Sequence, residues 1–159
     1  MIILGIDPGT RVTGYGVVEK GERGFLWKTS GEIRMKRGTL LSQSLKTIYD
    51  RLTRIMEEFR PDAVALEDIF YGKNVKSLVK LGQVRGVAIL AAAHTGIPLY
   101  EYTPLEVKKA VVGYGRAEKM QVQHMVRAIL VLEELLPPDV SDALAIAVCH
   151  AHTLKERPV

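Results

Sequence analysis

Residues 2–10 read Ile2-Ile3-Leu4-Gly5-Ile6-Asp7-Pro8-Gly9-Thr10. An unbroken apolar run of this length is the pattern of a strand buried on both faces, and Asp7-Pro8-Gly9-Thr10 is turn chemistry that ends it. Residues 14–19 and 24–33 read as two further strands around the polar turn Lys20-Gly21-Glu22-Arg23, an antiparallel extension of the first. The period then changes. Leu41, Leu45, Ile48, Leu52, Ile55, Met56 and Phe59 recur at helical spacing, and Arg60-Pro61 stops the helix. Residues 62–67 form a second buried strand. A strand, helix and strand in this order favour parallel pairing through a right-handed connection, which places Asp7 and Glu67 at one sheet edge. That edge, beyond the carboxyl ends of parallel strands, is where open α/β sheets carry their sites.

Farther on, Asn74 suits the N-cap of a helix in which Val75, Leu78, Val79, Gly82, Gly86, Ile89, Leu90 and Ala93 share one face, with Lys76 and Lys80 off it. The small residues of that face would admit another helix closely, from this chain or from a second copy. Gly96-Ile97-Pro98 leads to a short strand at residues 99–102. Thr103-Pro104-Leu105-Glu106 has the spacing of a capping box, so a helix should run to about Val112. Gly113-Tyr114-Gly115 breaks it, another helix follows over 117–132, and Pro137-Pro138 separates that from a last one over 140–152. These elements imply an α/β domain covering all 159 residues: a mixed five-stranded sheet, three antiparallel strands extended by parallel ones, flanked by helices.

No apolar stretch approaches the roughly 20 residues of a membrane span, and no basic leader precedes the first strand, so a cytoplasmic location and no membrane partner are expected. Cys149 is the single cysteine, in an apolar helical context that suits a buried, inert thiol and offers no thiolate metal site. The net charge of +4 is modest, but its distribution is uneven. Between Ile69 and Tyr100 there is no acid, while Lys73, Lys76, Lys80 and Arg85 all fall there. That segment suits either a polyanion or a solvated, lysine-rich helix face.

Four carboxylates stand at the edge of this hydrocarbon. Asp7 and Glu67 end strands; Asp139 and Asp142, three residues apart, are neighbours on the first turn of the last helix. Each has an ordinary reading when taken singly: an Asx turn at Asp7, a buried arginine partner for Glu67, helix capping for Asp139 and Asp142. Taken together they place acids from three segments at one end of one sheet. Carboxylates converging in a poorly solvated place raise one another's pKa values unless a cation neutralises them. Oxygen-only ligation suits Mg²⁺ or Mn²⁺ rather than zinc, and a site of that kind does phosphoryl chemistry. The four histidines are assigned no ligand role; His94, His150 and His152 lie near helix ends, where exposed or capping roles are usual.

The chain resembles the RuvC family of bacterial Holliday-junction resolvases, within the ribonuclease H-like superfamily. The likeness runs through residues 5–17 (Gly5-Ile6-Asp7-Pro8-Gly9-Thr10-Arg11-Val12-Thr13-Gly14-Tyr15-Gly16-Val17), Lys73-Asn74, Lys80-Leu81-Gly82-Gln83-Val84-Arg85-Gly86-Val87-Ala88, Val112-Gly113-Tyr114-Gly115, Ala117-Glu118-Lys119, Gln121-Val122-Gln123-His124-Met125-Val126 and Asp142-Ala143-Leu144-Ala145-Ile146-Ala147. The resemblance implies a ribonuclease H-like fold and a homodimeric, Mg²⁺-dependent endonuclease, with two ions per site, that nicks four-way junction DNA symmetrically. It maps the metal-binding catalytic acids onto Asp7, Glu67, Asp139 and Asp142, with histidine in some relatives at the position of Asp139. It places Lys108 and Lys119 at the scissile phosphate and Phe70 stacked on a base at the junction centre, and it implies the RuvA-RuvB branch-migration complex as a partner. Lys73, Lys76 and Lys80 would add phosphate contacts. Packing beneath a loop is the ordinary alternative for Phe70, as a solvated helix face is for Lys108. Competing functions are a junction-binding scaffold that has kept the fold without catalysis, and an actin-like or sugar-kinase-type ATPase, for whose two lobes the chain is too short.

Overall fold

The structure is a computed structural model that describes residues 1–68, 74–154 and 158. It contains β1 (Ile2–Asp7), β2 (Val12–Gly21), β3 (Gly24–Arg34), α1 (Leu41–Phe59), β4 (Ala63–Glu67), α2 (Val75–Thr95), β5 (Leu99–Tyr102), α3 (Pro104–Val112), α4 (Lys119–Ile129) and α5 (Pro138–Thr153). The strands form one five-stranded sheet in the order β3-β2-β1-β4-β5. β1 pairs antiparallel with β2 and parallel with β4, and β4 pairs parallel with β5, so the mixed sheet expected from the sequence is the one observed.

Alternation along each strand divides the core into two. Leu4, Ile6, Val17, Val64 and Leu66 pack with Ile48, Leu52 and Met56 of α1 and with Val84, Ala88, Ala91 and Ala92 of α2. Ile3, Val18 and Ala65 face the other way, into Val107 and Val111 of α3, Val122 and Val126 of α4, and the apolar side chains of α5. Asp7 and Glu67 are two positions beyond residues of this second set or its glycine continuation. The same alternation therefore turns them toward α5.

α5 lies unusually low on the sheet because the strands beneath it lack side chains. A Cβ added to Gly5 would overlap the Ala143 carbonyl oxygen, and one added to Gly14 would overlap that of Asp139. Gly5 stands opposite Gly16 in the β1–β2 register, and Asp7 stands opposite Gly14. The glycine-lined strip is thus continuous with the position of Asp7, and it lets the backbone of α5 approach where any other residue would hold it off.

The local signals act as expected at several ends. The Asn74 side chain accepts from Ser77 N–H at 3.3 Å at the start of α2. Thr103 and Glu106 form a reciprocal capping box with Pro104 in the first turn of α3. α4 is shorter than the apolar pattern suggests, because Glu118 N–H donates to Gln121 Oε1 at 2.8 Å and starts it at Lys119, while Val131 takes a φ of 51° beyond its end.

α2 differs more. The residues it buries are Val84, Arg85, Ala88, Ala91 and Ala92, whereas Val75, Val79 and Leu90 of the face read from the sequence are exposed. A Cβ placed on Gly82 or Gly86 would meet nothing within 4 Å, so among the described residues those glycines serve no packing. The helix carries two apolar faces, and the alanine-rich one can lie flush on the sheet and α1. Among the described residues, no helix is long and apolar enough to cross a membrane.

Of two neighbouring side chains near the end of α5, one departs from expectation and the other does not. His150 is buried in α5, with Nδ1 at 2.7 Å from the Tyr102 hydroxyl and its ring 4.6 Å from that of Tyr100; burial pushes its pKa down. It is a core residue tied to β5 rather than an exposed or capping one. Cys149 is buried beside it in sequence, as its apolar context suggested.

Candidate active site

Asp7 and Glu67 are the last residues of adjacent parallel strands, and the register that sets Ile6 beside Leu66 brings them together at the carboxyl edge of the sheet. α5 supplies the other acids. Its N-cap is Pro137 and no side chain caps it, so Asp139 and Asp142 are not spent on the capping role their positions allowed. Asp7, Glu67 and Asp142 line one cavity of about 260 Å³ with Lys108 of α3 and Lys119 of α4, over a wall that includes Val107 and Val122. Asp139 stands outside that lining, yet its charge acts on both Asp7 and Asp142.

The electrostatics follow from burial and from like charges. Asp7 is pushed up to about 8, first by desolvation and then by the negative charges of Glu67, Asp142 and Asp139, with Lys119 opposing. Glu67 is raised by burial and by Asp142, against the pull of Lys119, Arg85 and Lys108. Asp142 is raised by burial despite its ion pair with Lys119, whose Nζ lies 3.3 Å from Oδ2. Lys119 is itself held above its ordinary value, chiefly by Asp142. These carboxylates share a space that is short of positive charge.

A hard dication fits that deficit. Among its lining residues the cavity offers carboxylate oxygens and no thiolate or imidazole, the donor set of Mg²⁺ or Mn²⁺. Among the described residues, no three acidic, histidine or cysteine side chains are drawn in tightly enough to form a ready-made metal cluster.

Residues 3–150 match the model of the family described as Crossover junction endodeoxyribonuclease RuvC. The chain belongs to the RuvC family. A RuvC from Syntrophotalea carbinolica is 54% identical over 152 residues, covering 96% of this chain and 94% of the relative. The structure of T. thermophilus RuvC in complex with Holliday junction substrate superposes with a TM-score of 0.89 at 32% identity, covering 97% of this chain and 95% of that one. A yeast mitochondrial Holliday junction resolvase, Ydc2, shares the fold with a TM-score of 0.63 at 13% identity, over 92% of this chain and 77% of its own.

Within this RuvC-family fold, Asp7, Glu67, Asp142, Lys108 and Lys119 meet in one cavity, and Asp139 lies beside it. Lys76 and Lys80 are exposed on α2 and do not reach the cavity; Lys80 borders a separate groove. Phe70 and Lys73 lie outside the described residues.

Arg85 is where the sequence reading misled. Its position in an acid-free segment grouped it with the lysines as a surface for polyanions, but it is buried. It donates one hydrogen bond to the Glu67 carbonyl oxygen and another to the Glu101 carboxylate, and Asp68 Oδ1 lies 3.6 Å from Nη2. A buried arginine near Glu67 thus exists, but it bonds the main chain of Glu67 and leaves that carboxylate directed at the cavity. Arg85 ties the end of β4 to β5 just where Glu67 must be placed. The available signal was its spacing: Arg85, Ala88 and Ala92 recur at i, i+3 and i+7, on the face that the alanines bury.

Proposed function

We propose that this chain is a single-domain, Mg²⁺-dependent crossover junction endodeoxyribonuclease that resolves four-way DNA junctions by paired symmetric nicks, in recombination and repair in the cytoplasm. What carries the reading is the convergence of Asp7, Glu67 and Asp142 from two strands and a helix in one lysine-flanked cavity. Asp7, Glu67, Asp139 and Asp142 would hold the ions. Two divalent cations bound by such acids activate a water and stabilise the leaving oxygen of a phosphodiester. Asp7 is subject to the charges of Glu67, Asp142 and Asp139 together, so it would be the central acid of the set that holds the ions. Lys108 and Lys119, which line the same cavity, would supply positive charge to a scissile phosphate.

The reading is tested by nicking of a synthetic four-way junction with Mg²⁺, against the same mixture with EDTA and against linear duplex. Cation-dependent nicks at symmetric positions on two strands are expected. Junction binding without nicking in Mg²⁺ or Mn²⁺ would establish the scaffold reading instead.

The exposed face of α2 supports a homodimer. Val75, Val79 and Leu90 are exposed on it, and Gly82 and Gly86 leave room for a facing helix. A two-fold enzyme matches a two-fold substrate. Sedimentation should give a dimer, and Leu90→Glu should shift it to monomer; an unchanged dimer would place the interface elsewhere. By the same family membership, the RuvA-RuvB complex is the proposed partner in branch migration.

A further inference from the structure

A groove of about 620 Å³ opens at the same end of the sheet as the acids but against the opposite core. Its floor is apolar, formed in part by Leu45, Ile48 and Val84 of α1 and α2. Its rim carries Arg11, Arg34, Lys36, Arg37 and Lys80, and no acid is among the residues that line it. Arg34 is paired with Glu32 at 2.5 Å; among the described residues, the other four make no ion pair.

The rim is built rather than incidental. Met35 N–H donates to the Arg11 carbonyl oxygen at 2.9 Å, fastening the end of β3 to the turn that follows Asp7. Thr39 N–H donates to the Lys36 carbonyl oxygen at 3.3 Å, and Gly38 takes a φ of 79°, so the segment that presents Lys36 and Arg37 is a closed turn. Four stretches of chain therefore bring cations to one concave surface: the β1–β2 turn, the end of β3, the loop after it, and α2. One phosphate would be served by cations converging from one or two of these. Charges distributed over four segments, above an apolar floor that suits deoxyribose, fit a run of phosphodiesters.

We infer that this groove binds the sugar-phosphate backbone of a junction arm, holding DNA on the α1–α2 side of the sheet while the scissile strand occupies the acidic cavity on the α5 side. This rests on the proposed nuclease function. Arg11 links the two surfaces, because it lies only four residues beyond Asp7 in the same turn.

The test measures junction affinity in EDTA, where no strand is cut, across a salt series. The variant carries Arg11→Gln, Lys36→Gln and Arg37→Gln; a control carries the same loss of charge at the exposed residues Arg23, Arg51 and Arg54. Each phosphate contact removed lowers the salt slope by about 0.9, so the groove variant should lose about 2 to 3 from the slope and bind about tenfold or more weakly near 100 mM salt. The control should lose less than 1. Wild-type affinity and slope in the groove variant would overturn the inference, as would an equal loss in the control. Nicking by the wild-type protein in Mg²⁺ is scored separately, so failure of the groove and failure of the nuclease reading are told apart.

Discussion

Asp7→Asn is expected to bind a four-way junction in chelator-containing buffer as the wild type does and to nick it, in Mg²⁺, about 10³-fold more slowly. Loss of that size corresponds to about 4 kcal/mol of transition-state stabilisation, the scale expected if Asp7 holds a catalytic cation as proposed. The same substitution should make the metal-free protein more stable at high pH. Asp7 is raised from 3.8 to about 8 by burial and by its acidic neighbours. Between those values the folded chain keeps a proton that the unfolded chain has released, so stability is greatest at acid pH and declines as pH rises toward 8. Glu67 and Asp142 are raised as well and add to the same decline. Thermal unfolding in EDTA should therefore show the wild type losing stability between about pH 5 and pH 8.5 and the variant losing less. Dications should restore the wild type more than the variant. Nicking by Asp7→Asn at the wild-type rate, or a wild-type melting temperature that climbs over this pH range, would contradict the assignment.

Arg85→Met should destabilise the chain by about 3 kcal/mol, because it removes the buried guanidinium that donates to the Glu101 carboxylate and to the Glu67 carbonyl. For a chain of this size that is a fall of about 10 °C in melting temperature. Arg85→Lys should recover only part of it, since an ammonium cannot present the two directed bonds of the guanidinium. In the fraction that folds, nicking at saturating junction should fall more than junction affinity, because the residue displaced is Glu67 and not a phosphate contact. A variant that melts with the wild type would show that the guanidinium carries no structural weight.

Most of the sheet was legible because its signals are local. The run from Ile2 to Ile6, the glycine-spaced strands after it, and the helical spacing from Leu41 to Phe59 each state their own period, and right-handed crossover then dictates parallel pairing of β1 with β4. The acids at the ends of those strands were legible for the same reason. Less so was their division: Asp142 is among the residues that line the cavity, whereas Asp139, three residues earlier, lies beside it and adds its charge to Asp7 and Asp142.

The sequence by itself determined that acids from three segments meet at one edge of an α/β sheet, since periodicity assigns every strand residue to a face and every helix residue to a stripe. Only the tertiary structure decided which stripe of α2 turns inward, that Arg85 is buried against Glu67 and Glu101, and that glycines at 5 and 14 let α5 close on Asp7. The physical reason is that a helix with two apolar faces satisfies its own pattern either way. The choice belongs to whatever surface can fit it most closely, and that surface exists only once strands distant in sequence have paired.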